Sequence, residues 1–477
     1  MSERFYLVLD QGGHSSRAIL FDDCGEQMAA QARTVDTQRI GGNRVEQDPL
    51  ELVESLESAT RAVLADLSPE QRHRVKAGSL VTQRSSLVCW RRSDGSPLSP
   101  VLSWQDTRGA DQIARLPGER EWVRQVTGLV ANAHYGASKM RWCLDNLSAV
   151  NRALESDDLQ MGPLVAYLAR CLAGRAVTDP GNGSRTLLMN LQNLDWDDRL
   201  LTLFGIPRGV LVPIVSTRCR VGAIRAAGTN LPLALLNGDQ CAAFYGGGEP
   251  ERGTAYINAG TGAFVATLID ESQPLPPGLL KTPIFCETRS CTFVCEGTVN
   301  GAASALDSVG RDLSMDNYLA LDHWDRQVVQ LPLFINGIGG LGAPFWRPDL
   351  ESRFHGEGSP REKMVAVAES IAFLLTVNLE AMTGAGLPIG RIILSGGLSR
   401  FRWLTERLAA LNRVPVTVAE DAEATARGAA FLLAHKPANW KASDGKNAVV
   451  NERDLSPEKV RNIRARYREW RRLMPGA

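Results

Sequence analysis

Two stretches far apart in the chain carry the same order of apolar and polar positions. FYLVLDQGGHSSRAILFD (Phe5 to Asp22) and TAYINAGTGAFVATLID (Thr254 to Asp270) each read as an apolar strand ending on Asp or Asn, a glycine turn, and a second apolar strand. One glycine hairpin is only a turn, so the repetition is what points to two related lobes. Helical periodicity lies between the strands. Asp48-Pro49 supplies an N-cap and a first-turn proline ahead of Leu52, Leu56, Ala59 and Val63 on one face. Ser68-Pro69-Glu70-Gln71 has the spacing of a capping box, and Lys363 to about Met382 is apolar on most sides, as in a buried helix. A strand over Arg391 to Leu394 runs into the turn Ser395-Gly396-Gly397, expected to open a helix as an ordinary βα turn does. Strands alternating with helices predict an α/β chain, its sheets parallel or mixed and flanked by helices.

The glycine run Gly246-Gly247-Gly248 and Pro250 interrupt this pattern, giving an expected division into 1–246, 247–436 and a polar tail, 437–477. The tail ends in VRNIRARYREWRRLMP, a basic helical stretch that reads as a solvated face. A chain of 477 residues exceeds one compact core and agrees with two large lobes. Lys plus Arg (53) equals Asp plus Glu (53), which gives no reason to expect nucleic acid or an anionic membrane as partner and leaves a small molecule. No run of about 18 residues apolar enough to span a bilayer is expected. The start, MSERFYLVLD, passes straight into a strand, so a cytoplasmic protein is expected. Of nine cysteines only Cys286, Cys291 and Cys295 cluster, at a spacing unlike zinc sites, and all are expected to be reduced thiols.

Phosphoryl transfer requires backbone N–H groups around phosphate oxygens, a cation against their charge, and a carboxylate for the attacking hydroxyl. The two glycine hairpins offer the first, with Thr261 adding a hydroxyl. Asp10, ending the first strand, is placed either to hold Mg²⁺ or to close the Asp-Gln-Gly turn. Asp239, in LLNGDQ before an Ala-rich helix, serves as a base if it faces the substrate and otherwise reads as an N-cap.

Fourteen landmarks then fall in register from about Phe5 to Leu433: DQGGHSSRAILFD, VEQDP, TQRSS, SWQDTRG, TGLVANAHYGASK, VTDPGNGSRTLLMN, LDWDDRLL, NGDQCAA, NAGTGAF, EGTVNGAAS, GGLGAPFWRPD, ESIAF, SGGLSR and EATARGAAFL. Together they resemble the FGGY family of carbohydrate kinases, its glycerol-kinase branch above all. The resemblance implies an actin-like, ribonuclease H-like two-lobed ATPase fold that phosphorylates a hydroxyl of a small sugar or polyol with ATP and Mg²⁺. It implies Asp239 as catalytic base, with Asp10 and Asp239 on the metal side. The nucleotide positions it implies are Gly12, Gly13, His14, Ser15, Arg17, Gly260, Thr261, Gly262 and Gly301, with Gly396 and Gly397 on the adenine side. Arg84, Ser85, Trp104, His134, Gln240 and Phe264 join Asp239 on the sugar side. The family forms homo-oligomers, but no interface signature is legible here.

Three positions depart from the pattern. Ser85 stands where the glycerol-kinase branch has a glutamate that binds hydroxyls, and His134 stands where it has a tyrosine, either touching the ligand or filling space. Gly13-His14 replaces a threonine pair in the first phosphate hairpin. These departures predict a pocket that does not favour glycerol, and they leave open a catalytically weak sugar or nucleotide sensor. Tyr467 and Trp470 resemble the tail aromatics of xylulose kinase-like members, which favours a pentulose-sized substrate.

Overall fold

The computed structural model describes residues 4–116, 118–315, 320–324, 331–419, 423–440 and 448–474. The chain forms two compact units that are not consecutive stretches. The first comprises 1–250, 282–293 and 423–442; the second comprises 251–281, 294–422 and 443–477. The hairpin tip 282–293 and the segment 423–442 cluster with the first unit, and the basic tail helix with the second.

In the first unit β1 (Phe5–Gln11) and β2 (Ser15–Asp22) form the expected glycine hairpin, and β3 (Gln27–Thr34) continues it antiparallel. On the other side β1 pairs in parallel with β4 (Val75–Thr82). Beyond it lie β5 (Arg218–Ala226) and β6 (Thr229–Gly238), in the order β5-β6-β4-β1-β2-β3, with β6 parallel to β4 and β5 antiparallel to β6. The helix Pro49–Ala65, capped by Asp48, buries Leu52, Leu56, Ala59 and Val63 against this sheet. Ser68 and Gln71 close the capping box of Pro69–Arg74.

The second unit repeats the plan. Its sheet is made of β7 (Thr254–Ala259), β8 (Ala263–Ile269), β9 (Leu280–Glu287), β10 (Ser290–Val299), β11 (Arg391–Ser395), β12 (Val416–Val418) and β13 (Val449–Val450), of which 282–293 in β9 and β10 cluster with the first unit. The order is β9-β10-β8-β7-β11-β12-β13. Read from β13, an antiparallel edge strand is followed by two parallel strands and the hairpin pair, as in the first sheet, and then by β10 and β9 where the first sheet has β3 alone. The repeat legible in two glycine hairpins therefore extends through the sheets.

Four expectations are corrected. The helix Pro360–Gly384 is long and apolar enough to cross a bilayer, but 89% of its apolar window is buried inside the protein, so it serves as a core helix. Cys286 and Cys291 form a disulfide, because β9 and β10 flank a two-residue turn and bring their Cα atoms to 4.0 Å. The basic tail is the helix Pro457–Leu473 and is not merely a solvated face. It buries Val460, Ile463, Tyr467 and Trp470, and both aromatic rings pack on Phe373. Their spacing is thus explained by packing within the second unit and carries no information about sugar size. Finally, Ser395-Gly396-Gly397 opens a single 3₁₀ turn, Gly397–Arg400, and the next helix starts only at Arg402. Its first amides, Arg402 N and Trp403 N, are already taken by the Asp322 carboxylate (3.1 and 2.9 Å).

Candidate active site

Three parallel strands of the first unit end side by side, and the candidate residues Asp10, Arg84 and Asp239 lie at or just beyond their carboxyl ends, where ligands usually bind in open α/β sheets. Register places Asp10 of β1 beside Val81 of β4, and Asn237 of β6 on the other side of the same Val81. Asp10 and Asn237 thus lie two strand spacings apart, ~10 Å along the sheet; Asp239 follows Asn237 by two residues, and Arg84 leaves the end of the strand between them.

Asp10 is buried and ion-paired with Arg17 on the neighbouring strand. Burial raises its pKa above the ordinary carboxylate value, while Arg17 opposes the rise. The Arg17 guanidinium is shared with Glu423, whose two carboxylate oxygens accept at 2.8 and 2.7 Å. Gly12 closes the hairpin on Ser15 (3.0 Å). The carbonyl of Gly13 is tied to Thr37 Oγ1 (2.6 Å) and Gln47 Nε2 (2.9 Å), and that of His14 to Val35 N (3.1 Å). Gln47 in turn accepts from Gln83 Nε2 (2.6 Å), so two buried amides hold the hairpin from beneath.

Asp239 is the first residue of the five-residue helix Asp239–Ala243, whose N-cap is Gly238. The N-cap reading of Asp239 is therefore set aside; its carboxylate accepts a local bond from Gln240 N (2.7 Å) and keeps 31% of its side chain open. The protein around it still disfavours the charged form, pushing its pKa up to about 6. Arg84, with Nε 4.0 Å from Oδ1, pulls the other way, and Asp10 adds to the rise. Arg84 lies along the start of this helix, donating to Gln240 Oε1. Only glycine fits at 238, because a Cβ there would stand 2.6 Å from Arg84 Cγ and Cδ.

Next to Arg84, Ser85 has a left-handed backbone (φ 66°) and Ser86 Oγ accepts from Trp104 N (3.0 Å). The Trp104 side chain is among the few large apolar groups left exposed among the described residues, at 40%. His134 Nδ1 lies 3.0 Å from Trp104 O, so the ring donates there and leaves Nε2 as an acceptor. His134 thus braces Trp104 in addition to any contact with a ligand. Arg84, Ser85, Trp104, His134, Asp239 and Gln240 all belong to the first unit, whereas Phe264, on β8, belongs to the second.

Gly260, Thr261 and Gly262 form the hairpin tip of the second unit. Thr261 O accepts from Ser304 N (3.0 Å), Ser304 Oγ (2.9 Å) and Ala302 N (3.2 Å), and Gly260 O from Ala303 N (3.0 Å), which fastens the tip to the start of the helix Ala303–Asp312. A Cβ on Gly301 would meet Asn336 Oδ1 at 2.8 Å. Gly396 has φ 89°, and a Cβ there would meet Ala259 O at 2.6 Å, while Gly397 faces open space. Sequence reasoning quoted the motifs containing Glu423, Gln47, Gln83 and Lys139 without assigning those residues.

Residues 5–246 match the N-terminal domain, and residues 255–436 the C-terminal domain, of the FGGY family of carbohydrate kinases. The chain belongs to this family and is an ATP-dependent kinase of small sugars or polyols. It is 32% identical to the glycerol kinase of Shewanella frigidimarina, covering 99% of this chain and 97% of that one. The fold is also that of the Plasmodium falciparum glycerol kinase with ADP (TM-score 0.86, 21% identity, 98% and 97% covered). A ligand-bound xylulose kinase from Lactobacillus acidophilus shares it too (TM-score 0.84, 17% identity, 98% and 97% covered).

Proposed function

We propose that Asp239 is the base of the transfer. A sugar hydroxyl attacks the γ-phosphorus of ATP, the bond from that phosphorus to the bridging oxygen breaks, ADP leaves, and the hydroxyl proton passes to the Asp239 carboxylate. The observation that carries this reading is a half-open carboxylate with a raised pKa, next to Arg84 and Gln240 at the end of a parallel strand. Asp10 and Asp239 each offer hard carboxylate oxygens on the metal side that would hold Mg²⁺ directly or through bound water, and when bound it would offset phosphate charge. Gly12, Gly13, His14, Ser15 and Arg17 of the first hairpin, and Gly260, Thr261, Gly262, Gly301, Gly396 and Gly397, are assigned to the nucleotide. Arg84, Ser85, Trp104, His134 and Gln240 are assigned to the sugar, with Phe264 as a further candidate. The cytoplasm, where ATP is held, is part of the same reading.

The test is ADP release over a panel of polyols, ketoses and aldoses, with ligand-induced thermal shifts in parallel. Turnover above background ATPase with at least one of them is expected. Stabilisation by a sugar without turnover would replace the kinase reading with a sensor. Within the panel, kcat/KM for glycerol is expected to fall below that for ketoses and longer polyols. Ser85 removes a carboxylate acceptor, and His134 spends one ring nitrogen on Trp104. A glycerol value above all others would defeat this expectation.

The raised pKa also sets a pH dependence. A base must be unprotonated, and a carboxyl moved up to about 6 is largely protonated at pH 5. The kcat/KM for the best panel sugar is therefore expected to be level above pH 7 and to fall about tenfold per unit below pH ~5.5. A profile level down to pH 4.5 in still-folded enzyme would contradict the assignment.

A further inference from the structure

The family resemblance assigns the exposed parts of the sugar side and leaves out the group beneath them. Lys139 is on the helix Gly136–Asn146 and has 0% of its surface exposed. Its ammonium donates to two backbone carbonyls, Ser85 O at 3.0 Å and Ser103 O at 2.7 Å. The nearest carboxylate, that of Asp106, is instead saturated by Arg108 and by Val45 N (2.8 Å). Burial pulls the Lys139 pKa down to about 7, with Asp106 opposing. Either protonation form keeps enough N–H groups for both carbonyls.

A buried amine is a poor choice if the position only fills volume, since an apolar chain of the same length would avoid the desolvation cost. What it fastens explains it. Ser85 directly follows Arg84, and Ser103 directly precedes Trp104. Ser85 also adopts a left-handed backbone that disfavours a residue with a Cβ, and the Lys139 bond holds the carbonyl which that backbone turns inward. Ser86 Oγ to Trp104 N is a second, parallel tie between the same two segments.

We propose that Lys139 is a positioning residue for the sugar. Together with Ser86 it locks the segment Arg84-Ser85-Ser86 to Ser103-Trp104, and so sets where the Arg84 guanidinium and the Trp104 ring meet the ligand. This deepens the reading above and rests on it. Its signature is a split between the two substrates, because the ATP-side hairpins make none of these bonds.

The experiment compares wild type, Lys139→Met, Ser86→Ala and Arg84→Ala, using the panel sugar that the wild type turns over fastest. In Lys139→Met the sugar KM is expected to rise about tenfold or more, with the ATP KM within about twofold and the ATP-induced thermal shift unchanged. Ser86→Ala, a small truncation, is expected to raise the sugar KM about threefold. If Lys139→Met does not yield folded protein, Ser86→Ala decides the matter. A sugar KM within about twofold of wild type in every folded variant of these two overturns the proposal, and marks Lys139 as structural. Arg84→Ala separates the two levels: an unchanged sugar KM there would overturn the placement of the sugar itself, whatever Lys139 does.

Discussion

Asp239→Asn is expected to lower kcat by about 10²- to 10⁴-fold, the span typical of a positioned base, while leaving the ATP-induced thermal shift in place. Asparagine keeps the shape and the carbonyl that accepts from Gln240 N, so the start of the helix has no reason to unwind. What it loses is the ability to take a proton. Stability gives an independent sign. Because the folded protein raises this carboxyl above its ordinary value, ionising it works against folding as pH rises through about 6. The neutral variant should therefore melt no lower than wild type at pH 8, so that loss of turnover cannot be ascribed to unfolding. Single-turnover ADP release with the best panel sugar and a melting curve on the same sample provide the check. Near-wild-type kcat in that sample would falsify Asp239 as the base.

Local codes were readable from the chain alone. The capping box at Ser68 and the proline-led helix after Asp48 depend on residues within one turn of each other, and the glycine hairpins on residues within one turn of chain. The candidate site depends on pairing at long range. Asp239 read alone as a helix cap, and only the parallel register of β1, β4 and β6 brings it to the same sheet end as Asp10. The Arg17–Glu423 pair joins residues 406 apart, which no local spacing announces. Lys139 was hidden by its surroundings, a lysine beside Ser138 in a helix start that is buried throughout. The cysteines failed for a different reason. The cytoplasmic expectation outweighed the five-residue spacing of Cys286 and Cys291, although a tight two-stranded turn is sufficient to face them. Tyr467 and Trp470 were noticed for their helical spacing, but the same spacing is what packing on Phe373 requires.

Gly428→Ala is expected to disable the enzyme from behind the site. Glycine inside a helix costs about 1 kcal/mol against alanine, so its place in the helix Ala424–Leu433 calls for a packing reason. That helix lies backbone to backbone on Asp239–Ala243. A Cβ at 428 would stand 1.8 Å from Ala242 O and 3.0 Å from Gly246 N, and one at 246 would stand 2.8 Å from Ala424 O. No side chain can swing aside, because the obstructing atoms are main chain. Thr425 Oγ1, one turn before Gly428, also bonds Asp239 O at 3.2 Å, so the two helices move as a pair only if that bond survives. Relieving the overlap needs a separation of ~1 Å, and overpacking of this kind costs roughly 1–3 kcal/mol. The same displacement carries Asp239 away from the hydroxyl, and a shift of ~1 Å in a catalytic group costs about 100-fold in rate. The helix propensity gained from alanine is smaller than either loss, so Gly428→Ala should lower both the melting temperature and kcat, whereas Asp239→Asn lowers kcat alone. A Gly428→Ala protein that melts and turns over like wild type would show that the two helices are not packed this closely, and with that the placement of Asp239 at the strand end would lose its support.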